Sequence, residues 1–139
     1  MMNDEQSSDG PRVVILEDDE LVGSALALMA RDAGYEPALY TSLSQAVADI
    51  EIGAIHAIIS DFDLGRGPNG VEAACTLRAN KTPAPPVLIV TAFQRGSVDR
   101  AARAAGFEVS PKPTSPSFLR RWLARNAPPH RSQPKANRS

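Results

Sequence analysis

The 139-residue sequence has a single cysteine, Cys75, so no disulfide can form within the chain and nothing points to an oxidising compartment. It has no apolar run approaching the roughly 20 residues needed to span a bilayer. Its start, MMNDEQSSDGPR, is polar and acidic, which does not fit a secretory signal. A cytoplasmic protein without membrane association is therefore expected. An excess of one charge is also missing: 15 basic residues face 16 acidic ones, a net charge of -1, which gives no global pull toward nucleic acid or anionic lipid. No Gly-x-Ser-x-Gly is present, and the two histidines, His56 and His130, precede a strand and sit in a tail. Nucleophilic hydrolysis has no support from these residues. Dinucleotide binding fails because the first apolar run is followed by EDDE and not by a Gly-rich phosphate turn. Cys75 lies mid-helix beside Ala74 and is read as packing.

What is present is an alternation. Hydrophobic residues make up 42% and charged residues 22%, ordinary for a globular chain of one domain. Residues 1–11 are polar and 127–139 are polar, basic and Pro-rich, so both are expected to be flexible tails around a domain at 12–126. Within it, Val13–Leu16 reads as a strand buried on both faces. Leu21, Val22, Ala25, Leu28 and Met29 then recur at helical spacing until Gly34, a natural stop. Further strands fit 36–40, 55–59, 87–90 and 107–110. Helices fit between them, with Ser42 or Ser44 as one cap and Ser115-Pro116 opening the last. Five repeats of this kind predict a doubly wound five-stranded parallel α/β sheet with helices on both faces.

In such sheets chemistry collects at the carboxyl ends of the strands. There stand Glu17, Asp18 and Asp19 after the first strand, Asp61 and Asp63 after the third, Thr91 after the fourth and Lys112 after the fifth. Singly, each has an ordinary structural reading: carboxylates favour first turns of helices, threonine suits a strand end, and lysine is usually solvated. Their conjunction on one rim has a chemical reading. Two like charges ~4 Å apart repel by about 4 kcal/mol at an effective dielectric of ~20, so clustered carboxylates call for a counter-charge. Mg²⁺ supplies it with oxygen ligands, and lets an aspartate oxygen approach a phosphoryl group while an ammonium and a hydroxyl hold the equatorial oxygens.

The motifs VVILEDDE, AIISDFDLG, LIVTA and PKP, in that order, resemble the receiver domains of two-component response regulators over roughly Arg12 to Asn126. The resemblance implies a flavodoxin-like receiver fold and a stand-alone, chemotaxis-regulator-like phosphoprotein. Asp61 would be the phosphoacceptor, Glu17, Asp18 and Asp61 would serve the Mg²⁺ site together with the Asp63 carbonyl, and Thr91 and Lys112 would bind the phosphoryl group. It also implies a cis bond between Lys112 and Pro113. The implied partners are a histidine kinase or histidine phosphotransfer protein and a downstream protein target, without direct nucleic-acid binding. The domain would act as a monomer or weak dimer and catalyse only its own phosphorylation and dephosphorylation. Val109 stands where the family usually has Tyr or Phe, so only a modest change is expected at the last two helices. The loop between Asp61 and Gly70 is Gly-rich and about one residue longer than the commonest form, and Asp63 and Phe93 occupy positions that tune phosphoryl loss. Two alternatives remain at this point: a receiver-like scaffold without phosphorylation, and a haloacid-dehalogenase-type phosphatase built on Asp61-Phe62-Asp63. The basic run Arg120, Arg121, Arg125, Arg131, Lys135 and Arg138 is read as a solvated face or protein-docking surface.

Overall fold

Strands and helices alternate along the chain in the computed structural model, which describes residues 10–49, 54–93 and 95–128. In chain order they are β1 (Arg12–Leu16), α1 (Glu20–Asp32), β2 (Glu36–Tyr40), α2 (Leu43–Asp49) and β3 (Ala57–Asp61). There follow α3 (Gly70–Arg78), β4 (Val87–Thr91), α4 (Gly96–Ala104), β5 (Glu108–Pro111) and α5 (Pro116–Asn126). All neighbouring strands pair in parallel in the order β2-β1-β3-β4-β5. This is the doubly wound architecture expected from the alternation, and its strand order reverses direction between β1 and β3.

The central strands are apolar along most of their length because each of their faces is covered. Val14, Leu16, Ile58 and Ile89 pack with Ala74, Leu77, Val98 and Ala102, residues of α3 and α4. Their neighbours Val13, Ile15, Ile59 and Leu88 join Leu26, Ala30, Leu119, Trp122 and Leu123 of α1 and α5 on the other side. Burying each large side chain of this kind contributes about 1.5–3 kcal/mol against chain entropy. At the β2 edge, the Tyr40 hydroxyl donates to Asp49 Oδ2 at 2.6 Å and pins α2. Burial and then the Asp49 carboxylate push that hydroxyl up to about 12.

Caps fix where helices begin. Asp19 Oδ1 accepts from the N–H groups of Leu21 and Val22, Ser42 caps α2 by accepting from Gln45, and Ser115 accepts from Phe118. Asn69 and Glu72 form a reciprocal capping box at α3.

Several expectations need correction. In α1 the buried residues are Gly23, Leu26 and Ala30, while Leu21 and Leu28 are 84% and 56% exposed. Apolar residues surround most of this helix, so periodicity alone leaves its rotation open. The small residues settle it: a Cβ on Gly23 would stand 2.7 Å from Leu39 Cδ1 of β2. Cys75 is exposed and does not pack in the core. Pro11 and Ala127, assigned to the tails by composition, are buried. The Pro11 carbonyl accepts from Glu36 N–H, and the Ala127 carbonyl accepts from the Tyr35 hydroxyl at 2.8 Å. The remaining tail residues, 1–9 and 129–139, lie outside the described residues.

Candidate phosphoryl-acceptor and metal site

β1 ends at Leu16, and the chain turns sharply enough to give each acidic residue a different task. The Glu17 N–H still donates to Tyr40 O, which keeps its side chain under the rim and fully buried. Asp18 is exposed, and Asp19 is spent on capping α1. β3 runs through Ser60 and Asp61, both buried, and the Asp61 Oδ1 accepts from Asp63 N–H at 3.2 Å.

From the far side, β5 brings in Lys112. The Lys112 N–H donates to Thr91 O at 2.8 Å, which sets the residue at the rim beside β4. Its Nζ lies 3.0 Å from Glu17 Oε1 and 3.1 Å from Asp61 Oδ2. Both contacts are short enough to be charge-assisted, and they draw the two carboxylates onto the same ammonium. The Lys112–Pro113 bond is cis, in agreement with the resemblance.

Oxygens of Glu17, Asp18 and Asp61 all lie within 4.8 Å of one another. Two of these three carboxylates, Glu17 and Asp61, thus share one ammonium. Burial pushes Glu17 up from 4.5 to about 7; the Lys112 ammonium and the Asp19 N–H oppose this, and the charge of Asp61 adds to it. Burial works against the charge on Lys112, but Glu17 and Asp61 outweigh it and hold the ammonium above its ordinary range.

The donor set suits a hard dication: three carboxylates whose oxygens converge on one point of the rim. Gly65, at φ +80, leaves room beside this group, where a Cβ would stand 3.7 Å from Asp18 Oδ2. Asp63 differs from the other acidic residues. Its side chain is exposed and is not a member of the carboxylate group.

Thr91 ends β4 and is fully buried, one residue beyond the Asp61↔Val90 pairing. Its hydroxyl donates to Phe93 O at 3.1 Å and accepts from Phe93 N–H at 3.3 Å, which holds the start of the following loop. Phe93 itself is 67% exposed at the rim.

One residue that shapes the site escapes sequence reading. Gly70 approaches the back of Asp61 so closely that a Cβ would fall 2.0 Å from Asp61 O. Its N–H donates to Phe62 O, and its carbonyl accepts from the buried Ser60 hydroxyl at 3.0 Å. The Gly-rich composition of the loop hinted at a tight path, but no spacing rule singles out this contact between backbones nine residues apart.

The comparisons agree with this geometry. The family model of the response regulator receiver domain matches residues 13–123, and the chain belongs to that family. The transcriptional regulatory protein PdtaR of Mycobacterium tuberculosis, in two strains, is 32% identical over 112 residues, covering 78% of this chain and 52% of the relative. The chain thus spans about half the length of the curated relatives it matches. Among solved structures, a response regulator receiver protein from Burkholderia phymatum is 28% identical with a TM-score of 0.70, covering 84% of this chain and 94% of the other. Vibrio cholerae chemotaxis protein CheY4, 22% identical, shares the fold with a TM-score of 0.74 over 85% of this chain and 99% of its own. Receiver domains are in general signalling modules and not enzymes acting on separate substrates, and the haloacid-dehalogenase-type reading is not favoured. No described helix is long and apolar enough to cross a membrane.

Proposed function

We propose that the chain is a phosphoryl-accepting switch in which Asp61 takes the phosphoryl group from a phosphohistidine of a histidine kinase or phosphotransfer protein. The observation that carries this reading is the position of Lys112 Nζ, 3.0 Å from Glu17 and 3.1 Å from Asp61, with Asp18 completing the carboxylate group. In the transfer, an Asp61 oxygen forms the new O–P bond as the donor's N–P bond breaks. The electron pair returns to the imidazole, which then takes up a proton.

Each residue has a part set by where it stands. Asp18, Asp61 and the Asp63 carbonyl would hold Mg²⁺, with Glu17 acting largely through water. The bound ion supplies charge neutralisation for the approaching phosphoryl oxygens. Lys112 is already paired to Asp61, so its ammonium is in place to clamp a phosphoryl oxygen with little rearrangement. Thr91 is different. Its hydroxyl is engaged with Phe93, and donating to a phosphoryl oxygen requires it to release the Phe93 carbonyl. That exchange makes the loop after β4 the bistable element, biased by the charge and acceptor oxygens of the phosphoryl group.

Val109, half-buried on β5, brings no ring to reorient, so the change at α4 and α5 stays modest. The output is docking to a protein target, with the domain bounded near Pro11 and Ala127 and working in the cytoplasm as a monomer or weak dimer.

The direct test is intact mass after incubation with a small phosphodonor and Mg²⁺. Wild type should gain one phosphoryl group, and Asp61→Asn should gain none. A gain that persists in the variant removes Asp61 from its role, and rapid turnover of generic phosphomonoesters restores the phosphatase reading.

A further inference from the structure

A net charge of -1 hides a strong separation. Ten of the 15 basic residues and only two of the 16 acidic ones fall in residues 95–139. The fold gathers the described part of that stretch at one side of the molecule, because β5 is the edge strand and α4 and α5 flank it on opposite faces.

The arginines there form a connected strip. Arg103 of α4 lines a shallow depression with Asp99 of the same helix, with Phe107, and with Glu108 and Val109 of β5. Glu108 in turn meets α5, accepting from Trp122 Nε1 at 2.9 Å and lying 4.0 Å from Arg125. Arg100 stands one turn before Arg103, and Arg121 one turn before Arg125. Arg100, Arg103, Arg121 and Arg125 are all exposed. Among the described residues, only Arg125 of these four has a carboxylate within 4.0 Å. Three guanidinium forks are therefore uncommitted. Such planar donors match phosphate oxygens two at a time.

The character of the strip also narrows the partner. Among the described residues the exposed large apolar side chains are Leu21, Leu28, Val47 and Phe93, and none belongs to α4, β5 or α5. A protein interface concentrates apolar and aromatic anchors at its centre, and a membrane-binding helix needs an apolar face to insert. This edge offers neither. It offers repeated cations. We propose that the α4–β5–α5 edge binds the phosphodiester backbone of nucleic acid, without reading sequence. This goes beyond the phosphoryl-acceptor reading and does not depend on it. It also revises the expectation, drawn from net charge, that nucleic acid is not a direct partner.

The test is fluorescence anisotropy of the full chain with a labelled DNA duplex and, separately, a single-stranded RNA. With four phosphate contacts, binding to the duplex should weaken about 150-fold between 50 and 200 mM salt. Arg121→Ala, an exposed position with no ion pair to lose, should weaken it about 8-fold near 0.1 M salt and reduce the salt slope by about 0.9. The triple variant Arg103→Ala/Arg121→Ala/Arg125→Ala should abolish measurable binding while leaving phosphoryl acceptance by Asp61 unchanged. If the triple variant does not fold by circular dichroism, Arg121→Ala decides alone. The proposal is overturned if wild type fails to bind at 50 mM salt, or if Arg121→Ala binds like wild type with the same slope. Equal affinity for phosphatidylserine vesicles also overturns it.

Discussion

Two buried carboxylates on a single ammonium should leave a measurable trace in stability, and Glu17 is where to look. In the unfolded chain Glu17 ionises near 4.5, whereas in the folded protein burial moves it to about 7. Between those values the folded state keeps a proton that the unfolded state has released. Stability from this group therefore falls as pH rises from about 4.5 to about 7, then levels off. The displacement corresponds to about 3 kcal/mol, a large fraction of a typical domain's total. Lys112 does not confuse the window. Its raised value contributes stability that is complete below 10.5 and is lost as pH rises from there through the folded value, well above the Glu17 window. Glu17→Gln keeps the shape but cannot ionise, so the variant should lose this dependence and exceed wild type by about 3 kcal/mol at pH 8. Urea unfolding of both proteins from pH 4.5 to 8.5 in EDTA gives the difference curve, in which groups common to both cancel. Added Mg²⁺ should flatten the wild-type curve by favouring the ionised carboxylates. A wild-type minus variant difference that stays constant through the window refutes the reasoning, because Glu17 then titrates alike folded and unfolded.

Two further substitutions test the scaffold behind the site. Gly70→Ala forces a methyl group to within 2.0 Å of Asp61 O, a contact only backbone movement can relieve. It should destabilise by about 3 kcal/mol in urea melts and, by displacing Asp61 about 1 Å, slow phosphoryl acceptance about 100-fold. Wild-type labelling rates in this variant would show that the loop tolerates the shift. Tyr35→Phe removes the buried donor to Ala127 O and should cost about 1–2 kcal/mol in the same melts, with no effect on labelling. An unchanged midpoint would return Ala127 to the tail.

How much of this was legible in the sequence depends on what a linear pattern can encode. In a parallel sheet with alternating helices, every strand runs the same way, so position in the chain translates directly into position on the rim. That is why spacing and family resemblance put Glu17, Asp18, Asp61, Thr91 and Lys112 on one rim, where Lys112 pairs with Glu17 and Asp61 and Asp18 lies beside those two carboxylates. The central strands were equally plain, since burial on both faces demands the unbroken runs at Val13–Leu16 and Val87–Val90. Rotation about a helix axis has no such encoding when apolar residues lie all round. Leu21 and Leu28 looked like core and are exposed, because Gly23 lets Leu39 approach and that contact turns the helix. Gly70 was invisible for a related reason: its role is a distance between two backbones, and composition carries no distances. The arginines of α4 and α5 were likewise readable only as separate runs, 95–103 and 120–125. Edge strand β5 stands between those helices, and Glu108 is the residue that touches α5 from it. Strand order therefore decides whether the two runs form one surface or two, and that order is fixed by non-local pairing, which no local pattern in either run specifies.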